Sequence, residues 1–349
     1  MVQREFDPDQ ASAALRRKLL RAAGLAVGAA ALTPRWLHAQ TAAKPAAPPS
    51  TITQPPRDFG PGGAPTTYFT DPDVLTVEPA FDGLRQPNAP IQRLWTGSLW
   101  AEGPAWRLDG STSVLAASFN GKRLNSPNDV VPHPDGSYWF TDPPYGAQLY
   151  EGAVDAPSGP ANKAGRLNPK LGQPPEIGGY QRELPTAVYR LDKSGTLTQV
   201  AGEDLVPDPN GLCFSPDFKK LYIISTGQGP GDTIAGGKGD MYEFNVGADN
   251  KLSGGKLFSA FMIDGVKCGP DGVRADVDGN LWCSSNAGRN VGYSGVTVWS
   301  PQGKLIGRIR LPEVCGNVCF GGPKRNRLFM AASQSLYAVY TGTQGAAPG

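Results

Sequence analysis

The sequence predicts an all-β fold, and within that class a β-propeller, from its composition and from a repeated hairpin motif. The 349 residues include 45 Gly and 34 Pro, a content that favours many short elements joined by turns over long helices. A polar residue recurs four times, each time 11 or 12 positions before an aromatic residue in an apolar strand. Sets of strands that recur at a period of tens of residues are typical of propeller blades.

Each repeat consists of a polar segment and an apolar strand joined by a tight turn. A turn signal such as Pro134-Asp135-Gly136 separates the two parts, as a β-hairpin requires. The four hairpins are predicted at 127–141, 209–224, 270–283 and 316–330. A further strand is predicted after each of them, at 187–191, 241–246, 295–299 and 335–340. A β-sandwich is the alternative, but it would not explain a polar residue at one fixed position of every repeat.

Residues 1–39 have the pattern of an export signal. The basic run Arg16-Arg17-Lys18 precedes the apolar stretch 22–32, and Leu37-His38-Ala39 offers a small-residue cleavage site, as secretory signals do. Paired arginines ahead of a mildly apolar stretch resemble a twin-arginine signal. We therefore predict export by the twin-arginine machinery of a bacterium, cleavage after Ala39 and a periplasmic location. A basic amphipathic helix is the alternative interpretation.

The rest of the chain divides into a linker, a propeller domain and a tail. Residues 40–66 are rich in Pro and Ala and predict an exposed linker. The propeller is predicted over 67–340 and a flexible tail over 341–349. Within the propeller, residues 143–185 lack strand periodicity, which predicts a long loop insertion, either a lid or a disordered segment.

Charge and hydropathy exclude two classes of partner. The formal net charge is +2, but residues 1–39 contain six basic and three acidic side chains. The remainder has a net charge of −1, so nucleic-acid binding through a basic face is not expected. No apolar run after residue 40 is long enough to cross a bilayer.

Cysteine and histidine usage argues against several kinds of site. The five cysteines are odd in number and include no C-x-x-C pair, so neither a disulfide framework nor a zinc ribbon is indicated. Most lie in apolar runs, where a buried cysteine acts as a small hydrophobe. His38 and His133 are the only histidines of the chain, which disfavours a Ser-His-Asp triad and a multi-histidine zinc site. The cysteines are Cys213, Cys268, Cys283, Cys315 and Cys319.

The recurring polar residues define a candidate site. They are expected where the innermost strands begin, with their side chains facing the central channel. Convergent carboxylate and amide oxygens without Cys or His form the kind of cage that a hard cation such as Ca²⁺ prefers. Any one of these residues beside Pro or Gly could equally be a turn residue, and only the set indicates a site. The set is Glu102, Asn128, Asn210, Asp271 and Asn317.

Four motif runs closely resemble the senescence marker protein/gluconolactonase/regucalcin family, and bacterial exported gluconolactonases most strongly. The runs are 125–131, 139–146, 209–212 and 270–274, within a resemblance that extends over about 69–340. The Asn-Asp-Val-Val and Thr-Asp-Pro-Pro-Tyr-Gly sequences are specific, whereas Pro-Asn-Gly alone would be weak. The resemblance implies a six-bladed propeller with one divalent metal ion in its channel.

The resemblance also implies roles for individual residues. It implies metal ligation by Glu102, Asn210 and Asp271, with Ca²⁺ favoured and Zn²⁺, Mn²⁺ or Mg²⁺ left open. Asp271 would in addition be the general base of catalysis. Asn128 and Asp129 would bind substrate or a water molecule near the metal ion.

One spacing departs from the family pattern. Only 26 positions separate Glu102 from Asn128, whereas 61 separate Asn210 from Asp271. About one blade is therefore predicted to be missing between Trp106 and Arg107, judged against the usual repeat length. The propeller would either close with five blades or keep an open edge, which is a liability for stability and aggregation.

Three functions remain open from the sequence. The first is a metal-dependent hydrolase that opens a sugar lactone, such as glucono-1,5-lactone, to the aldonic acid. The second is a non-catalytic propeller that binds a metal ion and a carbohydrate, and the missing blade favours it. The third is a hydrolase of another lactone or ester. The partners expected are a small-molecule lactone and the export machinery, with no nucleic acid, and the sequence predicts no oligomeric state.

Overall fold

The computed structural model describes residues 71–98, 114–143, 183–226, 239–288 and 290–346. All of them belong to one compact unit, Pro48–Gly349. The predicted export signal 1–39, the linker 40–66 and most of the predicted insertion 143–185 lie outside the described residues. In the described part of the chain, no helix is both long and apolar enough to span a membrane.

The regular secondary structure of the described residues is all β, as predicted, apart from one 3₁₀ turn at Pro79–Phe81. The strands in chain order are β1 (Val74–Thr76), β2 (Gln92–Thr96), β3 (Ser118–Phe119), β4 (Lys122–Arg123), β5 (Val130–Pro132), β6 (Tyr138–Asp142), β7 (Ala187–Leu191), β8 (Leu197–Gly202), β9 (Pro209–Phe214), β10 (Lys220–Ser225), β11 (Asp240–Val246), β12 (Leu252–Ser259), β13 (Met262–Ile263), β14 (Val266–Lys267), β15 (Gly269–Ala275), β16 (Leu281–Asn286), β17 (Gly295–Trp299), β18 (Leu305–Arg310), β19 (Cys315–Gly321), β20 (Arg327–Ala332) and β21 (Ser335–Tyr340).

These strands form four antiparallel blades in a propeller-like arrangement. The first blade is β5-β6-β7-β8, the second is β9-β10-β11-β12, and the third is β15-β16-β17-β18. The fourth is β19-β20-β21, completed by β2, and β1 adds a fifth strand to the third blade. Strands from the start of the described chain thus pair with strands near its end, at Val74↔Ile309 and Gln92↔Ala338.

The four predicted hairpins and the strands predicted after them are confirmed. The hairpins are β5-β6, β9-β10, β15-β16 and β19-β20, and the following strands are β7, β11, β17 and β21. Alternating side chains from each blade fill the space between it and its neighbour. Trp282 of the third blade, for example, is fully buried with its ring 5.5 Å from that of Phe320 in the fourth, an edge-to-face contact of the kind that aromatic pairs favour.

The cysteines behave as predicted. All five are buried thiols, and none of them takes part in a disulfide. Burial raises the pKa of the Cys213 thiol to about 12, which disfavours the thiolate form that a nucleophile or metal ligand requires.

The end of the chain corrects one prediction. Residues 341–346, assigned to a flexible tail from their composition, are hydrogen-bonded to two blades. The Gly345 amide donates to the Arg325 carbonyl at 2.9 Å, and the Ala346 amide donates to the Ala275 carbonyl at 3.0 Å. The tail prediction was wrong for these six residues, because backbone partners distant in sequence leave no mark on composition. Residues 347–349 lie outside the described residues.

Candidate functional site

A β-bulge marks the start of the innermost strand in the second, third and fourth blades. At each bulge the pairing with the next strand shifts by one residue, which turns the local side chains toward a new direction. Bulges are common beside active sites for this reason. The shifts fall between Pro209 and Leu212, between Pro270 and Val273, and between Cys315 and Asn317.

Glycines bring these strand starts close together. A Cβ atom added to Gly211 would collide with the carbonyl oxygen of Asp271. A Cβ atom added to Gly272 would collide in the same way with the side chain of Asn317. The glycine that follows Asn210 and the one that follows Asp271 are therefore required for close backbone approach. Asn210 and Asp271 consequently lie at the same rim, on neighbouring strands.

Asn210 has the features of a ligand residue. Its side chain is 6% exposed, and its Oδ1 atom has no hydrogen-bond partner among the described residues. A buried, unsatisfied carbonyl oxygen costs about 1–3 kcal/mol, so such an atom in a native protein calls for an explanation such as an ion. Asp271 adds a half-buried carboxylate on the adjacent strand. Amide and carboxylate oxygens are the donor types that a hard divalent cation takes.

The other predicted metal ligand, Glu102, lies outside the described residues. Within the described ranges, no group of three or more His, Cys, Asp or Glu side chains could hold a metal ion. The structure thus places Asn210 and Asp271 on neighbouring strands, and metal ligation by Asn210, Asp271 and Glu102 stays a prediction. Asp208, which lies outside the repeated polar positions, is fully buried two residues before Asn210 and has a left-handed φ of 47°.

Asn128 lies at the same rim, in the first blade. Its side chain is exposed, while its amide donates to the Thr141 carbonyl at 2.9 Å. The Thr141 amide in turn donates to the Asp129 carbonyl at 3.0 Å. One residue of β6 thus faces two residues of the segment that leads into β5, as in a bulge. The side chain of Asn128 is therefore presented to solvent from a fixed backbone.

Asp129 lies deeper and forms a buried ion pair with Arg274. Nη1 and Nη2 of Arg274 donate to the two carboxylate oxygens of Asp129, each at 2.9 Å. The Leu212 amide donates to the same carboxylate at 3.1 Å. Burial lowers the pKa of the Arg274 guanidinium, but the charge of Asp129 outweighs that effect and leaves the pKa above its ordinary value. This ion pair joins the innermost strands of three blades.

Asn317 does not share the position of Asn128, Asn210 and Asp271. In the fourth blade Cys319 faces Phe329, as Arg274 faces Trp282 in the third. Asn317 lies two residues before Cys319, whereas Asp271 lies three residues before Arg274. The repeat predicted from the sequence differs from the structure by one residue in the fourth blade, because a count from the aromatic residue cannot locate a bulge. The Asn317 Oδ1 atom accepts a hydrogen bond from the Val318 amide at 2.8 Å.

A small cavity lies beyond the ion pair, farther along the innermost strands. It has a volume of about 30 Å³, and Cys213, Arg274, Phe320 and Ala346 are among the residues that line it. The Asp129–Arg274 pair therefore lies between this cavity and the rim that carries the candidate site. The space is sufficient for about one water molecule.

Comparisons with known proteins agree with this architecture. The sequence profile of the SMP-30/Gluconolactonase/LRE-like region matches residues 99–334. The chain is 27% identical over 280 residues to a gluconolactonase of Zymomonas mobilis, covering 77% of this chain and 65% of that one. It is 25% identical over 252 residues to the lactonohydrolase oryL of Aspergillus oryzae, covering 68% and 49%. The chain thus spans less than two thirds of the length of both curated relatives.

A solved structure shows the same likeness. A gluconolactonase from Xanthomonas campestris superposes with a TM-score of 0.57 at 25% identity, covering 80% of this chain and 98% of that one. The family profile matches well over half of the present chain, within a fold of antiparallel blades. This protein therefore belongs to the SMP-30/gluconolactonase/LRE-like family.

Proposed function

We propose that this protein hydrolyses a sugar lactone of the glucono-1,5-lactone type to the aldonic acid and that it uses a divalent cation to do so. The observation that best supports the proposal is the buried Oδ1 atom of Asn210, which lacks a partner among the described residues and lies on the strand next to Asp271. The names of the gluconolactonase and lactonohydrolase relatives favour this class of reaction. From the signal pattern of residues 1–39, we propose the periplasm as its location.

Asn210 and Asp271, with Glu102, would hold the cation. Their oxygen-only chemistry favours Ca²⁺, although Mg²⁺, Mn²⁺ and Zn²⁺ also accept such ligands. When bound, the cation would polarise the lactone carbonyl and stabilise the developing oxyanion.

The protein's own residues would position the reactants and move the proton. Asp271 accepts a proton from the attacking water, whose oxygen forms a bond to the lactone carbonyl carbon. The ring C–O bond then breaks, and the former ring oxygen takes that proton from Asp271 to become the hydroxyl of the aldonic acid, which leaves Asp271 ionised again. Asn128, exposed at the rim, binds the hydroxyl groups of the sugar. Because its carboxylate is engaged by Arg274, Asp129 is assigned to support of the neighbouring backbone.

Chelation tests the cation requirement. In metal-loaded protein, EDTA is expected to abolish lactone hydrolysis in a pH-stat assay and to lower the melting temperature, and Ca²⁺ is expected to restore both. The physical reason is that a ligand bound only by the native state stabilises that state. Asn128→Ala is the matched control, because it keeps the proposed ligands and should retain the EDTA-dependent melting shift. Unchanged melting and turnover after chelation of the loaded protein would refute the proposal.

We further propose that this chain has a six-bladed family propeller shortened by about one blade between Trp106 and Arg107. Four blades are present in the described residues, and the junction lies outside them. Apolar side chains are exposed on both sides of the junction, at Leu94 and Trp95 of β2 and at Val130 and Tyr138 of the first blade. A cleft of about 270 Å³ beside Asn128 is lined by Leu115, Val130 and Tyr138. Exposed apolar surface of this kind is expected where a neighbouring blade has been lost.

Insertion of a complete blade tests this second proposal. A blade from a bacterial gluconolactonase, placed between Trp106 and Arg107, is expected to raise both the melting temperature and the turnover number. It would cover the apolar side chains and remove an open edge. A Gly/Ser segment of equal length at the same position is the control and should raise neither quantity. If the natural chain already equals the repaired one in both measurements, the deletion has no consequence and the proposal fails.

A further inference from the structure

The segment that leads to Asn128 is held by the carboxylate of Asp142, at the end of β6. The Asn125 amide donates to Oδ2 of Asp142 at 2.9 Å, and the Ser126 amide donates to Oδ1 at 2.8 Å. The Asn125 side-chain amide also donates to the carbonyl oxygens of Asp142 and Pro185, each at 3.3 Å. Two consecutive backbone amides are thus bound by one carboxylate, immediately ahead of the candidate site.

The residue before Asp142 holds the other side of Asn128. Thr141 exchanges backbone hydrogen bonds with Asn128 and Asp129, and its Oγ1 atom accepts from the Asp129 amide at 3.1 Å. Residues 125, 126, 128 and 129 are therefore all bonded to two successive residues of β6. The backbone of Asn128 has little freedom, while its side chain is exposed.

Holding this segment with the carboxylate of Asp142 carries an energetic cost. Asp142 is fully buried, and burial raises the pKa of its carboxyl group although the amides of Asn125 and Ser126 oppose that rise. Burying a charge is unfavourable unless strong hydrogen bonds compensate for the lost hydration. Hydrogen bonds from amides to an ionised acceptor are about twice as strong as neutral ones. In return, these strong hydrogen bonds form a clamp that restricts the motion of the backbone at residues 125 and 126.

We propose that Asp142 is a positioning residue that fixes Asn128 for substrate binding. The inference rests on the proposed function, in which Asn128 contacts the sugar. It assigns no chemical step to Asp142, which lies beneath the loop and acts only through the backbone that it holds.

The test is Asp142→Asn. This change replaces one acceptor oxygen with an NH₂ group that would face a backbone amide, so one of the two clamp bonds is lost. We expect KM for glucono-1,5-lactone to rise about tenfold with kcat nearly unchanged, which is the signature of lost substrate binding. Asn128→Ala should give the same split. The double variant should raise KM no further than either single change, because residues that act as one unit are not additive.

Asp276→Asn is the matched control. Asp276 is also a fully buried aspartate, and it accepts hydrogen bonds from the Asn280 amide at 2.9 Å and from Trp282 Nε1 at 3.0 Å. It follows β15 at the end opposite Asp271, so it lies about 16 Å from the site along the strand. This variant should lower the melting temperature and leave KM unchanged.

Several outcomes would overturn the inference. A lower melting temperature with unchanged KM in Asp142→Asn, as in the control, would leave Asp142 a structural role only. Additive effects in the double variant would show that Asp142 and Asn128 act independently. If Asp142→Asn does not fold, Asn125→Ala removes the side-chain bonds of the same clamp and should raise KM in the same direction. An unchanged KM in that variant would also count against the proposal.

Hydrogen exchange separates this inference from the proposed function. If the wild-type protein hydrolyses no lactone, the proposed function fails, and the amides of residues 125, 126, 128 and 129 still report on the clamp. Their exchange should be faster in Asp142→Asn than in wild type and unchanged in Asp276→Asn. Equal protection of these amides in all three proteins would refute the positioning role, whatever the activity.

Discussion

Arg274→Met is expected to lower the free energy of unfolding by about 3–5 kcal/mol, the usual cost of leaving one member of a buried ion pair without its partner. Asp129 is 3% exposed, and both of its oxygens accept hydrogen bonds from the guanidinium that this change removes. The measurement is equilibrium urea denaturation, with the midpoint and slope fitted together. The double variant Asp129→Asn/Arg274→Met should recover part of the loss, because it removes the buried charge.

Lys219→Met supplies the comparison for this experiment. Lys219 and Asp217 also form an ion pair, but both side chains are largely exposed, and exposed pairs contribute little. The unfolding midpoint of this variant should match that of wild type. If Arg274→Met also unfolds at the wild-type midpoint, the Asp129–Arg274 pair does not hold the blades together.

Asp271→Asn is expected to reduce the turnover of glucono-1,5-lactone by roughly 100-fold or more, within the usual range for removal of a proton-transfer group. The asparagine keeps one oxygen that can coordinate a cation but removes the carboxylate that accepts a proton. Initial rates at saturating lactone and Ca²⁺ give the measurement. Asp278→Asn, an exposed change in the same blade, is the control and should leave turnover unaltered. Near-normal turnover in Asp271→Asn would remove Asp271 from the role of base.

Much of the fold could be predicted because its determinants are local. The Pro134-Asp135-Gly136 turn specifies a hairpin through short-range conformational preferences, and Gly136 indeed has a φ of 86°. The repeat of such hairpins then indicates blades. The relation between Asn210 and Asp271 was also accessible, because each precedes a glycine and begins an innermost strand.

The remaining features depend on contacts that span long sequence distances. Asp129 and Arg274 are 145 positions apart, and nothing in their local sequences identifies them as partners. Asp142 acts on residues 16 and 17 positions earlier, across a hairpin whose exact register a sequence does not specify. The bulge before Asn317 moves this residue one position away from the place that the repeat predicts, and the sequence does not reveal the bulge either. Local sequence patterns therefore predict the strands and the strand ends that carry the candidate site. The contacts of each polar side chain depend instead on how distant strands pair.

The buried ion pair Asp129–Arg274 bears on how a reactant could enter the candidate site and how a product could leave it. Among the described residues, this pair lies between the rim that carries Asn128, Asn210 and Asp271 and the cavity farther along the strands. With the ion pair behind the candidate site, a reactant would enter through the rim and its product would leave through the same opening. If the proposed lactone hydrolysis takes place at this rim, departing aldonate and arriving lactone would compete for one opening, and product release there would limit turnover.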